Sequence, residues 1–298
     1  MPDRTVTWRE LLAETTATLG DRQHARWMCE AASGCDGPEL QAELDQPATE
    51  RMVAHLDAML ARRLAGEPLQ YVLGRWGFRS LDLLVDRRVL IPRPETEWVA
   101  QVAIERAIEM APSVASPLTI VDLGTGSGAI GLSLALELPV DTAHVWLTDA
   151  SADALDVARA NLAGIGRAAS RVRVAAGSWF EALPMELRGR IDLVVSNPPY
   201  IAVGDPAVEE SVTVWEPAGA LFASEDGLAD IRALAAGAST WLRPGGTLVL
   251  EIGSDQGVSA PAVLAEAGLI DIEVHPDLAG RDRIAIARRG GQSNRAAS

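Results

Sequence analysis

The amino-acid sequence predicts an α/β protein: a doubly wound, Rossmann-like sheet of seven strands, preceded by a small all-helical domain and a β-hairpin linker. Three observations carry this. From about Thr119 onward, short apolar runs of strand length alternate with stretches of helical periodicity, the pattern of repeated βαβ units. The first of those runs ends in a glycine-rich turn that opens a helix. The first 75 residues show helical spacing and no strand signal.

In the N-terminal stretch Trp8, Leu11, Leu12, Thr15 and Leu19 fall on one helical face, as do Met52, Val53, His55, Leu56, Met59 and Leu60. Residues 1–75 therefore read as a helical domain, and its expected role is substrate recognition. The texture then changes to β-like runs at 78–85 and 89–91 around Asp86-Arg87-Arg88, which makes 76–93 a hairpin linker. Pro92 and Pro94 end the extended structure and start a helix at Glu95-Thr96-Glu97-Trp98, whose acidic first turn suits the helix dipole. Its positions Val99, Val102, Ala103 and Ile108 are expected to face a core.

The domain 94–289 continues with strands at 119–123, 145–148, 172–175, 191–196, 246–252, 271–275 and 284–287. Helices are predicted at 127–138, 152–163, 228–241 and 258–267. Ligands of such sheets bind at the carboxyl ends of the strands. Residues 290–298 read as a short disordered tail.

Composition bounds the function. The chain has 298 residues, 48% of them hydrophobic, and no apolar run near the 18 that a membrane span needs. Its start, Met1-Pro2-Asp3-Arg4-Thr5, lacks an apolar signal core, so a cytoplasmic protein is expected; a monomer is the expected state. A formal charge of −15 disfavours the basic face that duplex DNA binding requires. All 26 basic residues are arginine, which excludes lysine Schiff-base chemistry. Cys29 and Cys35 read as free thiols. His24, His55, His144 and His275 lack ligand spacing, so no metal is expected.

Two motifs point to chemistry. Val121-Asp122-Leu123-Gly124-Thr125-Gly126-Ser127-Gly128 joins a strand to a helix and reads as a nucleotide-cofactor loop. The glycines alone fit NAD as well as S-adenosylmethionine. Asp122 favours the second, because a carboxylate suits its cationic methionine end and repels a pyrophosphate. At the end of the next strand Asp149 is placed to bind both ribose hydroxyls; the competing role is helix capping, which it shares with Ser151.

The second motif, Asn197-Pro198-Pro199-Tyr200, follows the apolar strand 191–196. An Asn carboxamide oxygen and the Pro198 carbonyl, held by two φ-locked prolines, can each accept one N–H of a planar amide or exocyclic amine, and Tyr200 can stack on its face. The plain alternative is an ordinary Asn-Pro-Pro turn after a strand.

With these residues in view, the chain resembles the release-factor glutamine N5-methyltransferases, a class of S-adenosylmethionine-dependent methyltransferases, over nearly its whole length. Gly66-Glu67-Pro68-Leu69-Gln70-Tyr71, Ile91-Pro92-Arg93-Pro94-Glu95-Thr96-Glu97, the glycine loop, Asn197-Pro198-Pro199-Tyr200, Glu216-Pro217, Asp226-Gly227-Leu228 and 277–283 occur in family order. The resemblance implies transfer of a methyl group to the glutamine N5 in the Gly-Gly-Gln loop of class I peptide chain release factors. It also implies that Trp179 flanks the adenine. The family usually carries Asp before that Trp; here Ser178 stands instead, so Ser178 Oγ or a backbone carbonyl is left to accept from the adenine amino group. Arg93, Glu95 and Glu97 are expected either to bind the substrate or to pin the linker.

Asn-Pro-Pro-Tyr is shared with enzymes that methylate adenine N6 or guanine N2, so a nucleic-acid amino-methyltransferase is the alternative, and a non-catalytic cofactor-binding protein a third reading. The tail itself contains Gly290-Gly291-Gln292. Coincidence is the default there, and any methylation of Gln292 is expected in trans.

Overall fold

The computed structural model describes residues 6–114, 116–206 and 210–291. Gln292 and the rest of the tail lie outside the described residues, as do residues 1–5. The chain divides into two compact units, one of Met1–Arg75 with Glu210–Trp215, the other of Trp76–Glu209 with Glu216–Ser298. Among the described residues no helix is long and apolar enough to cross a membrane.

The first unit contains α1 (Trp8–Leu19), α2 (Arg22–Ser33), α3 (Gly37–Ala42), α4 (Glu50–Leu64) and α5 (Leu69–Leu73). A capping box starts α1: the Thr7 hydroxyl accepts from Glu10 N, and the Glu10 carboxylate accepts from Thr7 N. The core joins Trp8, Leu11 and Leu12 to Met28, Cys29, Leu56, Met59 and Leu69. The inward face of α4 is narrower than its periodicity suggests, since Leu56 and Met59 are buried and His55 is exposed. Both cysteines are free, and burial pushes the Cys29 thiol up to about 12, which keeps it protonated and unreactive.

The second unit begins at Trp76, one residue into β1 (Arg75–Phe78), which pairs with β2 (Leu81–Leu84) as a two-stranded sheet. The hairpin turn is therefore at Arg79-Ser80, and the predicted partner run 89–91 is not a strand. Arg79 occupies the left-handed region at φ 51, a conformation unfavourable for arginine and one that local sequence does not announce. It is held by its surroundings: Arg79 N donates to Glu97 Oε1 at 3.1 Å, and its guanidinium donates to Glu137 Oε1 and Oε2 and to Gln101 Oε1.

Helix α6 (Pro94–Met110) starts with proline in its first turn. Val99, Val102 and Ala103 are buried as expected, but Ile108 is 50% exposed. The buried stripe runs on through Ile104 and Ala107, and Ile108 falls one step past it.

The main sheet is built from β3 (Leu118–Leu123), β4 (Ala143–Asp149), β5 (Val172–Ala176), β6 (Ile191–Ser196), β9 (Leu242–Glu251), β10 (Leu269–Pro276) and β11 (Asp282–Arg289). A short parallel pair, β7 (Ile201–Ala202) and β8 (Phe222–Ala223), stands apart from it. The order is β10-β11-β9-β6-β3-β4-β5, with β11 antiparallel to both its neighbours. Helices α7 (Ala129–Glu137), α8 (Ala152–Gly164), α10 (Ser224–Gly227), α11 (Ala229–Trp241) and α12 (Ser259–Glu266) fill the connections, while α9 (Glu210–Trp215) belongs to the first unit.

From β3 the chain adds strands on one side through β4 and β5, then returns to the other side of β3 with β6. That reversal is the switch point where open α/β sheets form a ligand crevice. Parallel register pairs Leu123 with Ser196, so the glycine loop after Leu123 and the Asn-Pro-Pro-Tyr after Ser196 leave the sheet side by side. Ser196 Oγ donates to Leu123 O at 2.6 Å and fixes the two strand ends together.

Candidate active site

The crevice is a cavity of about 540 Å³, within the range of small-molecule sites. Asp122, Gly124, Thr125, Gly126 and Ser127 form one wall. Gly128 does not line it; at φ 87 it sits at the N-terminus of α7. Asp122 is 1% exposed. Its Oδ2 accepts from Thr125 Oγ1 at 2.6 Å and from Gly131 N at 2.9 Å, which ties the loop to the first turn of α7. Its Oδ1 is buried without a partner among the described residues. Desolvation pushes the Asp122 carboxyl up to about 6 against the pull of the Thr125 and Gly131 bonds, and nearby Asp149 adds to the rise.

Gly131 is a site residue that sequence reasoning missed. A Cβ there would lie 2.1 Å from Leu147 Cδ2 and 2.9 Å from Asp122 Oδ2, so only glycine lets α7 pack this close to β3 and β4. Its signal was a fourth glycine in the same run, one turn into the helix.

Asp149 lines the cavity at the end of β4. Its Oδ2 accepts from Gly126 N at 2.9 Å and its Oδ1 from Ser151 N at 2.8 Å. Ser151, not Asp149, caps α8, accepting from Ala154 N at 3.2 Å. Farther along, Gly177, Ser178 and Trp179 line the cavity together with Asp230 from the start of α11. Trp179 adopts φ 46, a left-handed conformation unusual for a large side chain, with its side chain near Asp230. Desolvation raises the Asp230 pKa, and the Trp179 side chain opposes it. Nothing in the sequence marked Asp230, which reads as an ordinary acidic residue in a helix's first turn.

Asn197 and Pro199 line the cavity, whereas Pro198 and Tyr200 are not among its lining residues. Asn197 Nδ2 donates to Thr96 Oγ1 at 3.3 Å, and Thr96 Oγ1 donates to Glu251 Oε2 at 2.6 Å. Tyr200 OH donates to Glu251 Oε1 at 3.2 Å and lies 3.5 Å from Arg283 Nη1. Glu251 is fully buried, and desolvation pushes its carboxyl up to about 7, opposed by Thr96, Arg283 and Tyr200. Burial together with Glu251 raises the Tyr200 hydroxyl, so it stays protonated.

The backbone of the motif is clasped as well. Gln256 Nε2 donates to both Tyr200 O and Gly227 O at 3.2 Å. A Cβ on Gly227, which has φ 82, would lie 2.2 Å from Tyr200 O, which accounts for the glycine of Asp226-Gly227-Leu228.

Arg93 and Glu95 do not line the cavity. Arg93 Nη2 donates to the buried Glu216 Oε1 at 2.5 Å, and Glu216 Oε2 accepts from Ile91 N at 3.1 Å. Glu95 Oε1 accepts from Arg281 Nη2 at 3.1 Å, and Glu97 accepts from Arg79 N. All three acidic or basic side chains of that segment are thus engaged by the catalytic unit itself.

Known proteins extend this geometry. A family model described as the PrmC N-terminal domain matches residues 8–74, and one described as the methyltransferase small domain matches residues 109–220. The chain is 42% identical over 281 residues to the release factor glutamine methyltransferase of Xylella fastidiosa, covering 94% of this chain and 98% of that one. It is 41% identical over 274 residues to the release factor glutamine methyltransferase of Burkholderia pseudomallei, covering 91% and 93%. Among solved structures, the hMettl16 catalytic domain in complex with MAT2A 3'UTR hairpin 6 matches with a TM-score of 0.50 at 13% identity, over 84% of this chain and 85% of that one. At that identity the match speaks to the methyltransferase fold alone. Identity above 40% across nearly the full length of both bacterial relatives places this chain in the release factor glutamine methyltransferase family.

Proposed function

We propose that this chain binds S-adenosylmethionine in the crevice and methylates the side-chain amide N5 of the glutamine in the Gly-Gly-Gln loop of class I peptide chain release factors. The observation that carries the reading is Asn197: its Nδ2 is taken by Thr96, so its Oδ1 remains to accept at the cavity wall, beside the glycine loop.

The cavity suits the cofactor on its own evidence. Asp122 offers a buried, unpartnered carboxylate oxygen to a cation, and Asp149 offers a carboxylate to vicinal hydroxyls. Trp179 provides an aromatic wall at the end where Asp230 and Ser178 supply acceptors. When bound, S-adenosylmethionine supplies an electrophilic methyl group on a sulfonium.

The chain's own residues then have a positioning task. A carboxamide nitrogen is a weak nucleophile because its lone pair is delocalised, the resonance behind the ~18–20 kcal/mol rotation barrier of an amide. Asn197 Oδ1 at the cavity wall, and the Pro198 carbonyl in the peptide that joins it to the lining residue Pro199, accept one N–H each, return electron density to that nitrogen and hold it at a fixed angle. Attack then needs no general base, because the nitrogen's surplus proton leaves to solvent only after it has become methylated. The apolar wall around Pro199 keeps water from the reacting groups. The helical unit supplies contacts to a folded release factor beyond the reach of its loop. The formal charge of −15 weighs against a nucleic-acid substrate.

The test is labelled methyl transfer from S-adenosylmethionine to purified release factor, duplex DNA and tRNA in parallel. Transfer confined to release factor, lost when its Gly-Gly-Gln glutamine is replaced, is the expected result. Preferential labelling of either nucleic acid would refute the reading.

A further inference from the structure

We propose that Glu251 is the positioning residue of the clamp: through Thr96 it dictates which end of the Asn197 carboxamide faces the acceptor amide, and through its second oxygen it holds the Tyr200 hydroxyl. The inference rests on the functional reading above and assigns roles to two residues, Thr96 and Glu251, outside the Asn-Pro-Pro-Tyr motif.

The argument is a count of protons. A threonine hydroxyl has one proton to donate and lone pairs to accept. Thr96 gives its proton to the Glu251 carboxylate over 2.6 Å, a short charge-assisted bond. What Thr96 Oγ1 then presents to its other neighbour is only lone pairs. Asn197 must meet it with the Nδ2 end, as it does at 3.3 Å. The opposite end of the carboxamide, Oδ1, is left as the acceptor at the cavity wall. Glu251 Oε1 meanwhile accepts from Tyr200 OH at 3.2 Å, so one buried carboxylate orients both polar side chains of the clamp.

Protonation of Glu251 reverses the logic. A neutral Glu251 can donate to Thr96, whose proton then turns toward Asn197. The carboxamide rotates to accept it, and its N–H groups confront those of the substrate. The groups facing Glu251 are Thr96 from α6, Tyr200, and Arg283 from β11, whose charge favours the carboxylate, with Glu95 opposing it and Arg93 acting on Tyr200. Since burial pushes Glu251 up to about 7, this reversal falls within the working pH range.

The experiment uses the full chain and three variants, Thr96→Val, Thr96→Ser and Glu251→Gln. It measures kcat and KM for release factor between pH 5.5 and 8.5, S-adenosylhomocysteine affinity by calorimetry, and the Asn197 side-chain amide by 15N NMR. Thr96→Val, nearly isosteric but without the hydroxyl, is expected to cut kcat by ~30-fold or more, the scale of a misaligned reacting pair, with S-adenosylhomocysteine affinity held within ~3-fold. Thr96→Ser restores most of the rate. Wild-type kcat is expected to fall about tenfold per pH unit below ~7, the slope of one essential ionised group. Glu251→Gln loses both the rate and that slope. The Asn197 side-chain protons show hydrogen-bond protection in the wild type and lose it in Thr96→Val.

A Thr96→Val enzyme with kcat within threefold of wild type, or a Glu251→Gln enzyme with the wild-type pH profile, would overturn the proposal. Unchanged Asn197 amide protection in Thr96→Val would do the same without any substrate. A wild-type protein inactive on release factor would count against the functional reading instead, and the NMR result would still judge the clamp.

Discussion

Replacing Asp122 with asparagine separates stability from cofactor binding at one atom. In the folded chain Asp122 is 1% exposed, and its carboxyl is pushed from an ordinary 3.8 up to about 6. At ~1.4 kcal/mol per pKa unit, that displacement is worth about 3 kcal/mol.

The sign follows from proton binding. Between the two values the folded state holds a proton that the unfolded state has released, so stability falls as pH rises through that window. The contribution is fully present below 3.8 and gone once pH passes well above 6. Glu251, pushed up to about 7, adds a slope of the same sign, but it is present in both proteins and cancels in the comparison. The Asp122→Asn variant cannot titrate there. Its stability relative to wild type should improve steadily with pH, with roughly half of the ~3 kcal/mol swing falling between pH 5 and 8. Urea unfolding of both proteins at several pH values reads this directly.

Binding should move the other way. Asparagine keeps a carbonyl for Thr125 and Gly131 but puts an N–H₂ where the unpartnered Oδ1 stood. Losing a bond to a charged group costs about 1.5–3 kcal/mol, so S-adenosylhomocysteine affinity at pH 8 should drop by ~10- to 150-fold. Parallel pH–stability curves would refute the desolvation argument. Unchanged S-adenosylhomocysteine affinity would show that the orphaned oxygen faces no cation.

Three further outcomes follow from the site. Asn197→Ala should abolish transfer while leaving S-adenosylhomocysteine affinity within ~10-fold, about 1.4 kcal/mol, and near-normal turnover in single-cycle kinetics would sink the clamp. Asp149→Ala should weaken S-adenosylhomocysteine by about 2–4 kcal/mol in calorimetry, since it removes the proposed acceptor for cofactor hydroxyls and also releases Gly126 N; unchanged affinity would leave Asp149 only a loop-holding role. Gly131→Ala should cost about 1–3 kcal/mol of stability through overpacking, because its Cβ would lie 2.1 Å from Leu147 Cδ2; a melting temperature equal to wild type would mean that α7 shifts freely.

Much of this architecture is legible in local sequence, for physical reasons that can be named. Apolar runs such as 118–123 and 191–196 are continuous because central parallel strands are covered on both faces. The glycine loop and the two prolines restrict or free φ residue by residue. Those constraints act within a few residues, so they are written where they act. Strand ends and helix starts expected from the sequence accordingly lie close to those of the structure, with β9 beginning earlier, at Leu242.

What local pattern could not supply were contacts between distant segments. Thr96 and Glu251 meet across 155 residues, and Arg93 and Glu216 across 123. The turn at Arg79 is left-handed because Glu97, Gln101 and Glu137 hold it, not because arginine prefers it. Asp230 reaches the cavity only because α11 starts beside Trp179. Sequence by itself thus determined the seven strands of the main sheet, the longer helices between them and the two chemical motifs, since each rests on hydrophobic period and backbone torsion. Tertiary structure alone decided their strand order, their register and the buried Thr96–Glu251–Tyr200 frame beside Asn197, because those depend on which surfaces pack together once the whole sheet has closed.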